Sequence, residues 1–206
     1  MNILVINICL RPESPVKLFP VGLGYITTAM KNAGFDFDLL DIDAYRYTDE
    51  QVEQFIRGKK YDVICMGCVV TGYRIVKTLA ALIKNYHPYS KIIVGNIVAT
   101  SVFDTLLRCT KVDVAVIGEG EETIVELLQK LSESRPLEEV RGICFMKDGN
   151  MVCTHPRPMI KDISSLPFVN YSLFDLEIYI AGTSRRVNDP VPIPRDQIRA
   201  LQVSIA

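Results

Sequence analysis

Short apolar runs alternate with amphipathic stretches along the first two thirds of the chain. Residues 2–8 are almost uninterruptedly apolar, the pattern of a strand buried on both faces. A loop with Pro12, Pro15 and Pro20 follows. Leu23, Ile26, Met30 and Ala33 then mark one face of a helix, which Gly34 closes. Residues 35–41 read as a strand, with Phe35, Phe37 and Leu39 alternating. Thr48 is placed to cap a helix through Arg57, ended by Gly58. Residues 62–66 form the third strand. A helix over about 71–86 turns Val76, Leu79, Ala80 and Ile83 inward and stops before Pro88. Residues 91–94 are a fourth strand, 101–109 a short helix and 113–117 a fifth strand.

That fifth strand stops abruptly at Gly118-Glu119-Gly120-Glu121, and a helix begins at once. Ile124, Leu127, Leu128 and Leu131 fall on one face of it. Strands alternating with helices imply parallel βαβ units with right-handed crossovers. The predicted fold is α/β: a flavodoxin-like, doubly wound, five-stranded parallel sheet of order 2-1-3-4-5. In such sheets ligands bind beyond the carboxyl ends of the strands.

After Arg135-Pro136 the rhythm changes. Apolar runs at 142–146 and 151–154 flank Lys147-Asp148-Gly149-Asn150, which predicts a β-hairpin. From His155 onward the chain is rich in proline and reads as a linker or wrap-around arm, with one short helix near 171–179. Residues 198–206 look like the opening of a further strand, so a fragment of a longer protein is expected. The expected division is 1–135 for the α/β domain, 136–155 for a hairpin appendage and 156–206 for a linker.

Composition narrows the classes. The 206 residues are 49% hydrophobic and 23% charged with a net charge of −1, which gives no sign of nucleic acid or an anionic membrane as partner. The first strand begins at residue 2 or 3, leaving no room for a signal peptide, and no apolar run approaches the ~20 residues that span a bilayer. A cytoplasmic protein is expected. The cysteines at 9, 65, 68, 109, 144 and 153 mostly fall inside predicted elements and read as buried thiols, not a disulfide framework. Cys65 and Cys68 end a buried strand and read as two packed thiols. Nothing in the sequence sets an oligomeric state.

The loops at the carboxyl ends of the strands test the candidate chemistries. A receiver domain needs an acidic residue ending the third strand, where this chain has Met66-Gly67-Cys68. A flavodoxin needs a hydroxyl-rich phosphate loop after the first strand, and Asn7-Ile8-Cys9-Leu10-Arg11-Pro12 is not one. A dinucleotide fold wants Gly-x-Gly-x-x-Gly there, whereas Gly22-Leu23-Gly24 lies well beyond the strand and lacks the third glycine. The glycines at 118 and 120 admit a ligand close to the backbone, while the acidic side chains argue against a phosphate cradle. A large, mostly neutral ligand rich in hydrogen-bonding groups suits them better.

Three features occur together: Pro20-Val21-Gly22-Leu23-Gly24-Tyr25 opening the first helix, Gly95 closing the fourth strand, and Asp113 followed by Gly118-Glu119-Gly120-Glu121 opening the last helix. The set resembles the N-terminal cobalamin-binding domain of B12-dependent radical S-adenosylmethionine enzymes. The tail, Ile163-Ser164-Ser165-Leu166-Pro167 and then Tyr171-Ser172-Leu173, looks like the linker of those enzymes. The resemblance covers nearly the whole chain. It implies a cobalamin-binding module followed by a barrel in the same polypeptide that carries a [4Fe–4S] cluster and S-adenosylmethionine, for methyl transfer or redox-assisted radical chemistry.

Many cobalamin carriers supply a lower axial histidine through Asp-x-His-x-x-Gly, but no histidine lies in residues 1–86 here. The resemblance therefore implies base-off cobalamin, its nucleotide tail swung into the protein and no protein imidazole on cobalt. The residues expected at the cofactor are Gly22, Gly24, Thr71, Gly72, Gly95, Asn96, Gly118, Glu119, Gly120 and Glu121, with no catalytic or metal-ligating residue in this chain. Residues 10–19 are expected near the corrin face. Two other readings stay open. One is a scaffold domain of the same family without the cofactor, which Asn96 in place of a second glycine and the missing histidines favour. The other is a small nucleotide-binding module using Asp41 or Asp43.

Overall fold

The computed structural model describes residues 1–184, 194, 197 and 199–201. The expected strand opening at 198–206 lies largely outside them. The chain runs β1 (Ile3–Asn7), α1 (Val21–Asn32), β2 (Asp38–Asp41), α2 (Ile42–Tyr45), α3 (Asp49–Gly58), β3 (Val63–Gly67), α4 (Tyr73–Tyr86), β4 (Lys91–Gly95), α5 (Asn96–Cys109), β5 (Val114–Val116), α6 (Glu121–Ser132), β6 (Ile143–Lys147), β7 (Asn150–Cys153) and α7 (Leu176–Ser184).

One sheet of order β2-β1-β3-β4-β5-β6-β7 organises these elements. The first five strands are parallel in the expected order. The sheet has seven strands instead of five because the hairpin joins it: β6 pairs antiparallel with β5, and β7 with β6. The chain turns back after α6, so the sheet's edge is capped by its own hairpin.

The central strands are buried on both faces, and successive side chains go alternately to two cores. Leu4, Ile6, Ile64, Ile92 and Val94 pack on one face with Val52 and Ile56 of α3, Val76, Leu79 and Ile83 of α4, and Leu106 of α5. Ile3, Val5, Val63, Cys65, Ile93 and Val116 pack on the other with Met30 of α1 and Ile124, Leu127 and Leu128 of α6. Among the described residues, no helix is long and apolar enough to cross a membrane.

Several boundaries move for physical reasons. α3 starts where Thr48 builds a reciprocal capping box with Gln51. α5 begins at Asn96, directly after β4, and not at 101, because a break at Val102 splits its apolar periodicity. Cys144 and Cys153 are a disulfide and not two free thiols. The antiparallel register that follows from the Asp148-Gly149 turn sets them directly opposite each other on β6 and β7. Cys65 and Cys68 are buried as expected, and burial pushes their thiols up to about 12 and about 11.

The tail folds back as an arm. Its residues 157–160 lie on the start of α6: Arg157 contacts Thr123, Glu122 and Glu126, and the Ile160 amide donates to Glu119 at 2.6 Å. Further on, Tyr171, Phe174 and Tyr179 surround Phe19 with ring centroids 5.0–5.4 Å away. The Asn170 amide donates to Thr28 Oγ1 on α1 at 2.8 Å.

Candidate functional site: a cleft at the carboxyl edge

A cleft of about 380 Å³ opens at the carboxyl ends of β1, β3, β4 and β5, between the starts of α1 and α6. That volume lies at the lower end of small-molecule sites, which run from about 300 to 1,000 Å³. Apolar residues form much of its wall: Ile26 and Leu23 from α1, Cys65 from β3 with the adjoining Met66, Ile93 from β4, Val116 from β5 and Ile124 from α6. Seven of the sequence-predicted residues line it, namely Gly22, Gly95, Asn96, Gly118, Glu119, Gly120 and Glu121.

The glycine-rich turns shape the mouth. Gly118 has φ +78°, a left-handed backbone that a side chain adopts only under strain, and its amide donates to Thr100 Oγ1 at 3.0 Å. Asn96 also sits in the left-handed region, at φ +67°, with its Oδ1 accepting from the Ile97 amide at 2.6 Å. Asparagine tolerates this backbone better than other non-glycine residues. That gives the departure from a second glycine a local reason: Asn96 preserves the turn.

Three expected residues lie outside the cleft lining. Gly24 faces the arm, where a Cβ would sit 2.8 Å from Val169 Cγ1 and 3.1 Å from the Phe19 ring. Gly72 ends a short 3₁₀ turn, Val70–Gly72, and a Cβ there would meet Cys68 Sγ and Leu10. Thr71 is exposed in the same turn and makes no capping bond to α4. These two positions belong to a neighbouring feature. Leu10 after β1, Val69 and Val70 after β3, and Ile97 after β4 leave an exposed apolar strip along the carboxyl edge.

Sequence reasoning missed the apolar walls and Asn7, which lines the cleft and donates from Nδ2 to Asp41 Oδ1 at 2.8 Å. Met66, Ile93 and Ile124 carry no signal distinct from core periodicity. The acids of the nucleotide-binding alternative are both committed elsewhere. Asp41 accepts from Asn7, Tyr179 and the Ala44 amide, and Asp43 pairs with Arg46. Desolvation raises the Asp41 pKa above the ordinary aspartate range. The two histidines do not serve the cleft: His87 is buried with Nε2 2.7 Å from the Ile56 carbonyl, and His155 lies in the arm. Among the described residues, no group of three or more His, Cys, Asp or Glu side chains is placed to hold a metal ion.

A doubly wound α/β domain with an apolar-walled, glycine-lipped cleft at its carboxyl edge is the class this geometry defines. Residues 9–128, more than half of the chain, match the model of the B12 binding domain, and the chain belongs to that family. It is similar to an uncharacterized methyltransferase, PH0819, of Pyrococcus horikoshii, at 26% identity over 88% of this chain and 41% of that protein. It is also similar to an anaerobic magnesium-protoporphyrin IX monomethyl ester cyclase of Synechocystis sp., at 30% identity over 87% of this chain and 37% of that protein.

Two solved structures share the fold. One is the radical S-adenosylmethionine methyltransferase TsrM from Kitasatospora setae with cobalamin and a [4Fe–4S] cluster bound (TM-score 0.64, 17% identity, 81% of this chain, 30% of that one). The other is the cobalamin-dependent S-adenosylmethionine radical enzyme OxsB with aqua-cobalamin and S-adenosylmethionine bound (TM-score 0.63, 20% identity, 77% and 22%). The chain thus spans about two fifths of the length of these curated relatives, 41% and 37%.

Proposed function

We propose that this chain is the cobalamin-binding module of a larger radical S-adenosylmethionine protein, and that its cleft takes the cofactor's nucleotide tail. The observation that carries the reading is the match between the cleft and that tail. The volume suits a benzimidazole with its ribose and is too small for a corrin ring. The walls are apolar where a flat heterocycle would lie, and the mouth is opened by Gly22, Gly95 and Gly118. The corrin itself would rest outside, on the apolar strip of Leu10, Val69, Val70 and Ile97, beside Thr71 and Gly72. A buried carboxylate oxygen of Glu121 without a hydrogen-bond partner also fits a ligand rich in hydroxyl and amide donors.

Cobalamin bound here would carry a methyl group or serve as a redox centre. The chain's own residues would bind and orient it. Gly118 would let the ligand approach the backbone, Gly120 lets Ile26 of α1 pack close beside it, Asn96 and Gly95 would close one side, and Glu119, already holding the arm through Ile160, stands at the rim. Gly24 would act at one remove, by seating the arm on α1. With histidines only at 87 and 155, residues 1–86 offer cobalt no imidazole, and a tail seated in the cleft would leave the cofactor base-off. The [4Fe–4S] cluster and S-adenosylmethionine would belong to a further domain of the same polypeptide, in the cytoplasm, and the chain alone would have no turnover.

Titration of the 206-residue chain with hydroxocobalamin, followed by gel filtration, tests the reading. Stoichiometric retention of colour with a base-off spectrum is the expected result. No retention at tens of micromolar would favour the cofactor-free scaffold.

A further inference from the structure

We propose that Glu121 is the residue through which the cleft reads the nucleotide tail, its carboxylate accepting a hydrogen bond from a ribose hydroxyl. This rests on the cobalamin reading above. The polar side chains around the cleft separate cleanly by what already satisfies them. Asn7 is bonded to Asp41 and to Tyr179. Asn96 Oδ1 accepts from Ile97, and Glu119 Oε2 accepts from the arm's Ile160 amide. Among the described residues, Glu121 Oε2 is the one buried side-chain nitrogen or oxygen with no hydrogen-bond partner.

The helix dipole does not account for that burial. A carboxylate in the first turn of a helix is favoured whether or not it is exposed, and the next residue, Glu122, serves that role from the surface while pairing with Arg157. A buried acceptor left unmade is costly, and a donor that arrives with a ligand recovers that cost. The chemistry of the tail then selects the donor. Its dimethylbenzimidazole ring has no N–H, and its phosphate is an anion with acceptors only, which a carboxylate disfavours. The ribose hydroxyls remain. The ring is matched to Ile26, Ile93, Val116 and Ile124, and the sugar to Glu121.

The test compares hydroxocobalamin with hydroxoaquacobinamide, the same corrin without the nucleotide tail, by spectrophotometric titration. The wild-type chain, Glu121→Ala and Glu121→Gln are titrated, and the melting temperature of each ligand-free protein is measured. The expected result is a loss of about 10- to 100-fold in hydroxocobalamin affinity for Glu121→Ala, the worth of one hydrogen bond to a charged group. Cobinamide affinity stays unchanged. Glu121→Gln, which keeps an acceptor oxygen, retains most of the binding, and neither ligand-free variant melts below the wild type.

Equal losses for both corrinoids, or a fall in melting temperature that tracks the loss, would overturn the assignment and leave Glu121 a structural residue. Wild-type binding of hydroxocobalamin with no loss in Glu121→Ala would overturn it while sparing the cobalamin reading. If the wild type binds neither corrinoid, both fall together.

Discussion

Tyr179 donates its phenolic hydrogen to Asp41, 138 residues earlier in the chain, and so fastens the arm to the carboxyl end of the second strand. Both groups are buried. Asn7 joins them, donating to Asp41 Oδ1 at 2.8 Å and to the Tyr179 hydroxyl at 3.2 Å. Burial and the neighbouring carboxylate raise the Tyr179 pKa, which keeps the phenol protonated and donating. Asn7 also lines the cleft, so one side chain touches both the candidate ligand site and the arm's latch.

Tyr179→Phe removes this donor and leaves Asp41 short of a partner in a buried place. The expected cost is about 1–3 kcal/mol. Denaturant unfolding gives the magnitude, and amide hydrogen exchange shows where it falls, with faster exchange in 176–184 and little change in β3 and β4. Unchanged exchange in the arm would mean that the Phe19 aromatic cluster alone holds it.

The pH dependence of the latch follows from Asp41. Its folded pKa is raised, chiefly by desolvation, so the folded state holds a proton more tightly than the unfolded one. Its contribution is therefore fully present below the ordinary aspartate value of about 3.9 and is lost as pH rises through the raised folded value. Asp41→Asn should flatten the wild-type fall in stability over that window. Thermal melts of both proteins across the acid range, at constant ionic strength, make the comparison. Equal slopes would contradict it.

Gly22 and Gly24 stand two residues apart on α1 and so face different surroundings. A Cβ at Gly24 would lie 2.8 Å from Val169 and 3.1 Å from Phe19, whereas one at Gly22 meets nothing within 4 Å. Gly24→Ala is expected to lose about 1–3 kcal/mol through overpacking. Gly22→Ala should be neutral or gain up to about 1 kcal/mol, as alanine is the better helix residue. Melting temperatures of the two variants decide it, and equal effects would contradict this division of roles.

Reduction of Cys144–Cys153 offers a separate check on the hairpin. The bridge spans nine positions, and closing a loop of that size stabilises by about 2–3 kcal/mol in the chain-entropy account. Alkylation of the unreduced, denatured protein should label four thiols, Cys9, Cys65, Cys68 and Cys109. Labelling of six would show the bridge absent. Dithiothreitol should lower the melting temperature of the wild type and leave a Cys144→Ser/Cys153→Ser double variant unmoved.

What the sequence revealed and what it hid divide along the range of the interactions. The five parallel strands and their order were readable because each is a short apolar run followed by its own helix. The turn at Gly118-Glu119-Gly120-Glu121 was readable because composition changes there within four residues. The hairpin's docking on β5 was not, since Ile143 and Cys144 look the same whether they join the sheet or stand apart from it. The cleft walls were hidden for a related reason: Met66, Ile93 and Ile124 obey core periodicity and merely happen to end at an opening. The arm's latch depends on Asp41, Asn7 and Tyr179 meeting across most of the chain, and no local pattern announces that.

The electron paramagnetic resonance spectrum of the chain loaded with cob(II)alamin tests the central claim most directly. If the cleft takes the nucleotide tail and no imidazole replaces it, the cobalt hyperfine lines will show no nitrogen splitting. A bound species that keeps the nitrogen triplet would place the tail on cobalt and leave the cleft without its ligand, contradicting the account.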